Sequence, residues 1–204
     1  MATFTIITPR LILRQWRTED YKPFAMLNAD PEVMEFFPAT LPRAASDAMA
    51  DRCHQLIHER GWGFWAVEER QTGDFVGLTG LHTPGSELPF TPCIEVGWRL
   101  ARYHWHKGYA TEAAAAALHV AFNKLQLQEV VSFTAVLNVR SQAVMQRLSM
   151  EFAGPFEHPD LPPQHPLRPH VLYTISPAVW NKNKLAKRAG TFLFQQPTDD
   201  NKLK

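Results

Sequence analysis

One stretch, residues 94–124, restricts the possible folds of this chain more than any other: IEVGWRLARYHWHKGYATEAAAAALHVAFNK. Ile94, Val96, Trp98 and Leu100 alternate with Glu95, Gly97 and Arg99. A period of two predicts a strand with one face toward a core. From Ala110 the period becomes helical. Ala114, Leu118, Ala121, Phe122 and Leu125 fall on one stripe, and Glu112, His119 and Lys124 lie off it. The alanines from Ala113 to Ala117 favour helix and let its backbone lie close to a sheet.

Between strand and helix stands His104-Trp105-His106-Lys107-Gly108-Tyr109-Ala110. A helix start carries unpaired N–H groups and the positive end of the helix dipole. Small residues at Gly108 and Ala110 let an anion approach those groups, with a phosphate or pyrophosphate as the natural ligand. An ordinary strand–helix connection is the alternative, and a single glycine does not decide between them.

Gly108-Tyr109-Ala110-Thr111-Glu112-Ala113, following Glu95-Val96-Gly97-Trp98, resembles the GNAT superfamily of acetyl-coenzyme A-dependent N-acetyltransferases. The nearest branch is the one containing the ribosomal-protein N-terminal (alanine/serine) acetyltransferases. Thr8-Pro9-Arg10-Leu11-Ile12-Leu13-Arg14 also opens many members of that branch. The resemblance covers residues 8–176 and leaves 177–204 as a C-terminal extension or tail. It implies an α+β fold: a single mixed, mostly antiparallel sheet of six to seven strands flanked by helices.

The resemblance also implies a coenzyme A site. Backbone amides at His106, Lys107, Gly108, Tyr109, Ala110 and Thr111 would hold the pyrophosphate. Main-chain donors along Gly97, Trp98, Arg99 and Leu100 would face the reacting carbonyl, where two strands splay apart and the pantetheine inserts. Trp105 stands in the family's Gln/Arg place, and His106 where the branch often has glycine. Neither removes a backbone donor.

The remaining pattern is conventional. Residues 12–16 predict a first strand, Thr18 caps a helix, and Asp30-Pro31 opens a short helix through Phe36. A longer helix spans 44–60 and stops at Gly61. Two strands, 63–68 and 75–81, join at Thr72-Gly73-Asp74, and 84–92 is a surface loop. Residues 130–137 form a strand buried on both faces, followed by a helix over 139–150. Further strands begin near Glu151 and cover 170–175. Beyond Pro177 the pattern fades into a solvated helix or tail. In the resembled fold, the early helices flank the acceptor site. There is no G-x-G-x-x-G fingerprint and no P-loop, which argues against nicotinamide and P-loop nucleotide chemistry.

Amide formation from a thioester requires a base for the amine, donors for the carbonyl oxygen and a route for the thiolate. Glu95 is the candidate base, a carboxylate in an otherwise apolar alternation, with Gly97 leaving space beside it. Partial burial would raise its pKa toward a useful value. A structural carboxylate paired with Arg99 or another cation is the competing reading. Asn138 either contacts the pantetheine, as the resemblance implies, or simply caps the next helix. Many relatives place a tyrosine acid seven residues after that asparagine. Here the position is Met145, which cannot donate, and Ser141 takes the role as the branch suggests. Cys93 lacks a partner base, which favours direct attack over an acyl-enzyme. His158, His165 and His170 match no regular face. They border an acceptor pocket rather than hold a metal, and no metal is expected. Trp62, Trp65 and Trp98 belong to the core.

Composition closes off several classes. The 204 residues are 45% hydrophobic, enough for one domain with its own core. Lys and Arg total 21 against 20 Asp and Glu, so no net charge draws the chain to nucleic acid or membrane. Two cysteines, Cys53 and Cys93, make no disulfide framework and fit buried thiols in a reducing cytoplasm. Residues 1–4 open no signal peptide. The expectation is an acetyltransferase moving an acetyl group from acetyl-CoA to a primary amine, such as a protein N-terminus or a small molecule. A coenzyme A-binding sensor or assembly module without turnover is the alternative, kept open by Met145 and His106. A homodimer is possible, and no sequence pattern decides it.

Overall fold

The computed structural model describes residues 5–85 and 87–195. In chain order the strands and helices are β1 (Thr5–Ile7), β2 (Leu11–Arg14), α1 (Tyr21–Ala29), α2 (Arg43–Arg60), β3 (Phe64–Glu69), β4 (Phe75–His82), β5 (Glu95–Leu100), α3 (Tyr109–Asn123), β6 (Val130–Ala135), α4 (Val139–Arg147), β7 (Glu151–Glu157), β8 (Pro169–Ile175), α5 (Pro177–Trp180), α6 (Lys184–Ala189) and β9 (Leu193–Gln195). The strands make one sheet in the order β7-β8-β6-β5-β4-β3-β2-β1-β9. Every pairing is antiparallel except β5 with β6.

The expected mixed, mostly antiparallel sheet is therefore present, but with nine strands rather than six to seven. The additions are at one edge, where three-residue β1 pairs with β2 and with three-residue β9. Strands that short show no period, and β9 follows almost the whole chain. Residues 177–195 are also more ordered than the solvated helix or tail expected there. Ser176 caps α5 by accepting from the Val179 amide, Trp180 is fully buried, and its ring lies 6.4 Å from Phe122 of α3. Residues 1–4 and the last part of the extension, 196–204, lie outside the described residues.

Two local expectations fail for identifiable reasons. Asp30 does not open a helix; it ends α1, and its Oδ1 accepts from the Glu32 amide at 2.9 Å, so residues 31–36 turn. Thr18 starts only a single 3-10 turn before α1, and Asp20 is drawn instead to Arg14 and the Arg17 amide. Other boundaries agree closely. Gly61 ends α2 at φ 82°, a left-handed conformation suited to glycine.

The alanine run explains the layering. Ala113 to Ala117 are all at most 1% exposed, so α3 lies flush on β2, β4 and β5. The early helices α1 and α2 pack against β4 and β3. Trp65 is fully buried in the core, while Trp62 and Trp98 are only partly buried against it.

The feature that positions the site is the meeting of β5 and β6. Their ladder consists of a single register pair, Glu95 opposite Val131, with the Val131 amide donating to the Ile94 carbonyl at 2.9 Å. Beyond that point the two strands share no pairing. Ile94 points its carbonyl at β6, and main-chain direction alternates along a strand. Val96, Trp98 and Leu100 therefore aim their backbone groups into the gap.

Candidate functional site

A cleft of about 910 Å³ occupies this gap. Its walls come from β5 and β6, the loop into α3, the start of α4, residues 33–38 and the 158–170 loop. At one end, a 3-10 turn at Arg102–His104 leads into His106 at φ 60° and Gly108 at φ 77°, and Gly108 is the N-cap of α3. The first helical bond runs from the Glu112 amide to the Gly108 carbonyl at 3.1 Å. Among the described residues, no group accepts from the amides of His106, Lys107, Gly108, Tyr109, Ala110 or Thr111. This is a nest of free donors at a helix N-terminus, open to the cleft and suited to a phosphate. A Cβ at Gly108 would meet only Arg10 Nη2, at 3.5 Å, so the glycine is required for its positive φ rather than for space.

The loop is anchored from beneath by side chains. Tyr109 turns inward, 5% exposed, and its hydroxyl donates to Glu69 at 2.5 Å; that bond holds its pKa above the usual phenol value. Glu112 is buried and accepts from Thr8 Oγ1 at 2.6 Å, from the Arg10 amide at 3.0 Å and from Arg10 Nε at 2.7 Å. Arg10 Nη1 reaches back to the Lys107 carbonyl at 2.8 Å. Trp105 Nε1 donates to the Leu100 carbonyl at 2.8 Å, tying the loop to β5.

At the root of the gap, where β5 and β6 join, stands Glu95. Among the described residues its carboxylate has no hydrogen-bond or ion-pair partner. Burial pushes its pKa up to about 8. A Cβ on Gly97 would lie 3.5 Å from Glu95 Oε1 and 3.1 Å from the Phe64 ring, so the bare backbone there keeps room beside the carboxylate. Arg99 does not pair with Glu95; its Nη1 donates instead to Asn28 Oδ1 at 2.7 Å.

Across the gap, Asn138 caps α4. Its Oδ1 accepts from the Ser141 amide at 3.1 Å, and its Nδ2 donates to Thr134 Oγ1 at 2.9 Å. Ser141 and Met145 both line the cleft, Met145 at 1% exposed. Among the described residues, Ser141 Oγ has no hydrogen-bond partner.

Comparison with known proteins agrees with this geometry. The family model of the acetyltransferase (GNAT) domain matches residues 10–151. This chain belongs to the GNAT acetyltransferase family. A curated relative, an FsC-acetyl coenzyme A-N(2)-transacetylase of Aspergillus fumigatus, is 30% identical over 79% of this chain and 72% of its own length. The uncharacterized protein YkkB of Bacillus subtilis is 28% identical over 74% of this chain and 88% of its own. Among solved structures, RimJ of Mycobacterium smegmatis in complex with CoA-disulfide superposes with a TM-score of 0.69 at 18% identity. That alignment covers 94% of this chain and 96% of RimJ, and it shows a shared fold.

The sequence-predicted residues of this acetyltransferase fall into one cleft: Glu95, Trp98, Leu100, His106, Gly108 to Thr111, Asn138 and Ser141 all line it. Lys107 is exposed beside it and contributes its carbonyl to the Arg10 clamp. His158 and His170 line the cleft with ring centroids 4.9 Å apart, both held below the ordinary histidine pKa by burial. His165 is spent locally, its Nδ1 accepting from the Leu167 amide at 3.2 Å. Among the described residues, no group of three His, Cys, Asp or Glu side chains can hold a metal ion. Burial holds the Cys53 thiol up at about 12, and burial with Glu95 nearby raises Cys93, so neither is primed as a nucleophile. Glu112 and Arg10 went unrecognised in the sequence, although both sit inside the two quoted motifs. Glu112 lies off the apolar stripe, where a carboxylate looks solvated; the buried Thr8 and the partner at position 10 reverse that. Among the described residues, no helix is long and apolar enough to cross a membrane.

Proposed function

We propose that this GNAT protein transfers the acetyl group of acetyl-CoA to a primary amine by direct attack, with Glu95 as the base. One observation carries the reading: an unpaired carboxylate stands at the root of the β5–β6 gap with its pKa raised to about 8. A base must be basic enough to take a proton yet largely deprotonated near the working pH, and a solvated glutamate is too weakly basic for this.

Acetyl-CoA supplies the acetyl group as a thioester. The free amides from His106 to Thr111 fit its pyrophosphate. Trp98 and Leu100, whose amides face the gap, fit the pantetheine and the carbonyl oxygen, and Asn138 can serve the pantetheine with the donor and acceptor capacity its cap leaves over. Glu95 takes the amine proton as the nitrogen bonds to the acetyl carbon. The carbon–sulfur bond breaks, and Ser141, with its hydroxyl free at the cleft wall, passes a proton to the departing sulfur as it takes one from solvent in the cleft. A thiolate leaves readily, so Ser141 contributes less than Glu95. The thiols of Cys53 and Cys93, free rather than bridged, accord with a cytoplasmic setting.

The test is Glu95→Gln. Calorimetric acetyl-CoA affinity should be unchanged, while amine-dependent thiol release falls about 10²–10⁴-fold, the usual range for a general base. An equal rate in the variant removes Glu95 from the mechanism. Binding without turnover across a broad amine panel would favour a coenzyme A sensor.

A further inference from the structure

Two guanidinium groups are withdrawn from the surface, Arg14 buried and Arg99 half-buried at the cleft wall, and they are treated oppositely. Arg14 is compensated: its Nη1 and Nη2 meet Asp20 at 2.7 and 2.9 Å, and its Nε meets Glu68 at 2.7 Å. Among the described residues, Arg99 has no carboxylate partner. Its Nη1 donates to Asn28 Oδ1 at 2.7 Å and passes 3.9 Å from the Met49 sulfur, and its guanidinium lies 4.0 Å over the Phe37 ring. Its Nε is buried with no acceptor, and among the described residues nothing accepts from Nη2. Burial holds the pKa of this arginine down at about 10. Leaving a desolvated cation without a counter-charge costs several kcal/mol in general.

The surroundings fix Arg99 in place rather than satisfy it. Asn28 is fully buried and gives its own Nδ2 to Ser46 Oγ at 2.9 Å, which leaves its oxygen to face Arg99. Arg99 shares a face of β5 with Glu95 and Gly97, since side chains two apart point the same way. That face is overlaid by elements from the early helices: Asn28 of α1, Met49 of α2 and Phe37 of the following turn. The pyrophosphate nest follows the C-terminal end of β5, whereas the Arg99 side chain turns away from it onto the face covered by Asn28, Phe37 and Met49. The missing negative charge therefore belongs on the acceptor side of the cleft, which Arg99 lines.

We infer that the amine acceptor carries a carboxylate, and that Arg99 is the residue that pairs with it while the amine lies toward Glu95. This rests on the acetyl-transfer reading above and narrows it to small amino acids or peptides with a free carboxylate. A guanidinium over an aromatic ring, with Nε and Nη2 both lacking an acceptor among the described residues, suits a planar carboxylate.

The experiment is a panel of amino acids, ω-amino acids of increasing length and short peptides, each beside its carboxamide, assayed with acetyl-CoA. Wild type should prefer at least one free acid over its amide by about 10–100-fold in kcat/KM, the size of a lost charged hydrogen bond. Arg99→Met should abolish that preference while its acetyl-CoA affinity stays unchanged. Arg99→Lys, which keeps the charge, should retain part of it and covers the case in which the methionine variant does not fold. Calorimetry of N-acetyl amino acids against their amides, on CoA-loaded protein, reads the same preference without turnover. Equal use and equal binding of acids and amides by wild type would overturn the inference, as would a preference that survives in Arg99→Met. Weakened acetyl-CoA binding in that variant would assign Arg99 to a coenzyme A phosphate and equally overturn it. Failure of wild type to bind acetyl-CoA would instead strike the underlying acetyl-transfer reading.

Discussion

The two ends of the cleft are built on different principles. At the α3 end, the groups offered to a ligand are main-chain amides, and the side chains nearby serve to hold the backbone: Tyr109 on Glu69, Arg10 and Thr8 on Glu112, Trp105 on Leu100. Toward the acceptor, the offered groups are instead side chains: Glu95, Arg99, and the His158–His170 pair. A backbone site asks the sequence only for a conformation, so it accommodates His106 at φ 60°, a region that favours glycine. A side-chain site asks for particular functional groups in particular surroundings, and it can be retuned by elements distant in sequence. This division suits an enzyme with one fixed cosubstrate and a separate choice of acceptor.

The largest effect that would sharpen the contrast is on pH. As the proposed base, Glu95 would act only when deprotonated, so kcat/KM should climb with pH and level off above about 8, where the carboxylate is free. Glu95→Gln should flatten that profile at a level lower by about 10²–10⁴-fold. Acetyl-CoA affinity should follow neither change. Stability runs the other way. The folded state holds the Glu95 proton more tightly than the unfolded chain, so its stabilising effect is present at low pH and is lost as pH rises through about 8. Above that pH, Glu95→Gln should melt higher than wild type. A coenzyme affinity that titrates with Glu95 would break the separation of the two ends.

The next effect belongs to the backbone end. Glu112 is 7% exposed and ties Thr8 and Arg10 to the first turn of α3. Glu112→Ala should cost about 2–4 kcal/mol, because it strands buried donors. A falling thermal midpoint, together with weaker acetyl-CoA binding, would mark the clamp as what shapes the nest. Loss of stability with unchanged coenzyme affinity would mean that the nest holds its form without it. Gly108→Ala should do less: a left-handed non-glycine residue costs about 1–2 kcal/mol, and the added Cβ meets only Arg10 Nη2 at 3.5 Å. Acetyl-CoA affinity should fall about tenfold, with thermal stability little moved if the loop relaxes.

How much of this was legible follows the same division. The strand–loop–helix of residues 94–124 showed itself because two hydrophobic periods meet at a glycine, and local rules govern both. Glu95 stood out because a lone carboxylate interrupts an apolar alternation. What stayed hidden depends on partners far along the chain. Glu112 looks solvated until Thr8 and Arg10 are placed against it, and Arg99 looks like a strand cation until Asn28 is shown to be its polar partner. Strands β1 and β9 are too short to carry a period, and Trp180 is buried by helix α3, some sixty residues earlier. The Asp30-Pro31 signal misled because a helix cap and an Asx turn use the same side-chain acceptor, and only the following residues choose between them.

Asn138 gives the smallest and finest test, since it stands between the two ends and does two things at once. As a cap it satisfies the Ser141 amide, and through Nδ2 it holds Thr134 on β6. Loss of the cap alone, in Asn138→Ala, should cost about 1 kcal/mol of stability. Asn138→Asp retains the capping oxygen but loses the Nδ2 donor, so stability should largely recover. If the asparagine also serves the pantetheine, both variants should raise the KM for acetyl-CoA several-fold, and the aspartate will not restore it. If it is only a cap, the aspartate variant should match wild type in KM, because Oδ1 alone then sets the position of α4. Stability and KM moving together in both variants would tie α4 to the backbone end; moving apart, they would show Asn138 meeting the cosubstrate through its side chain.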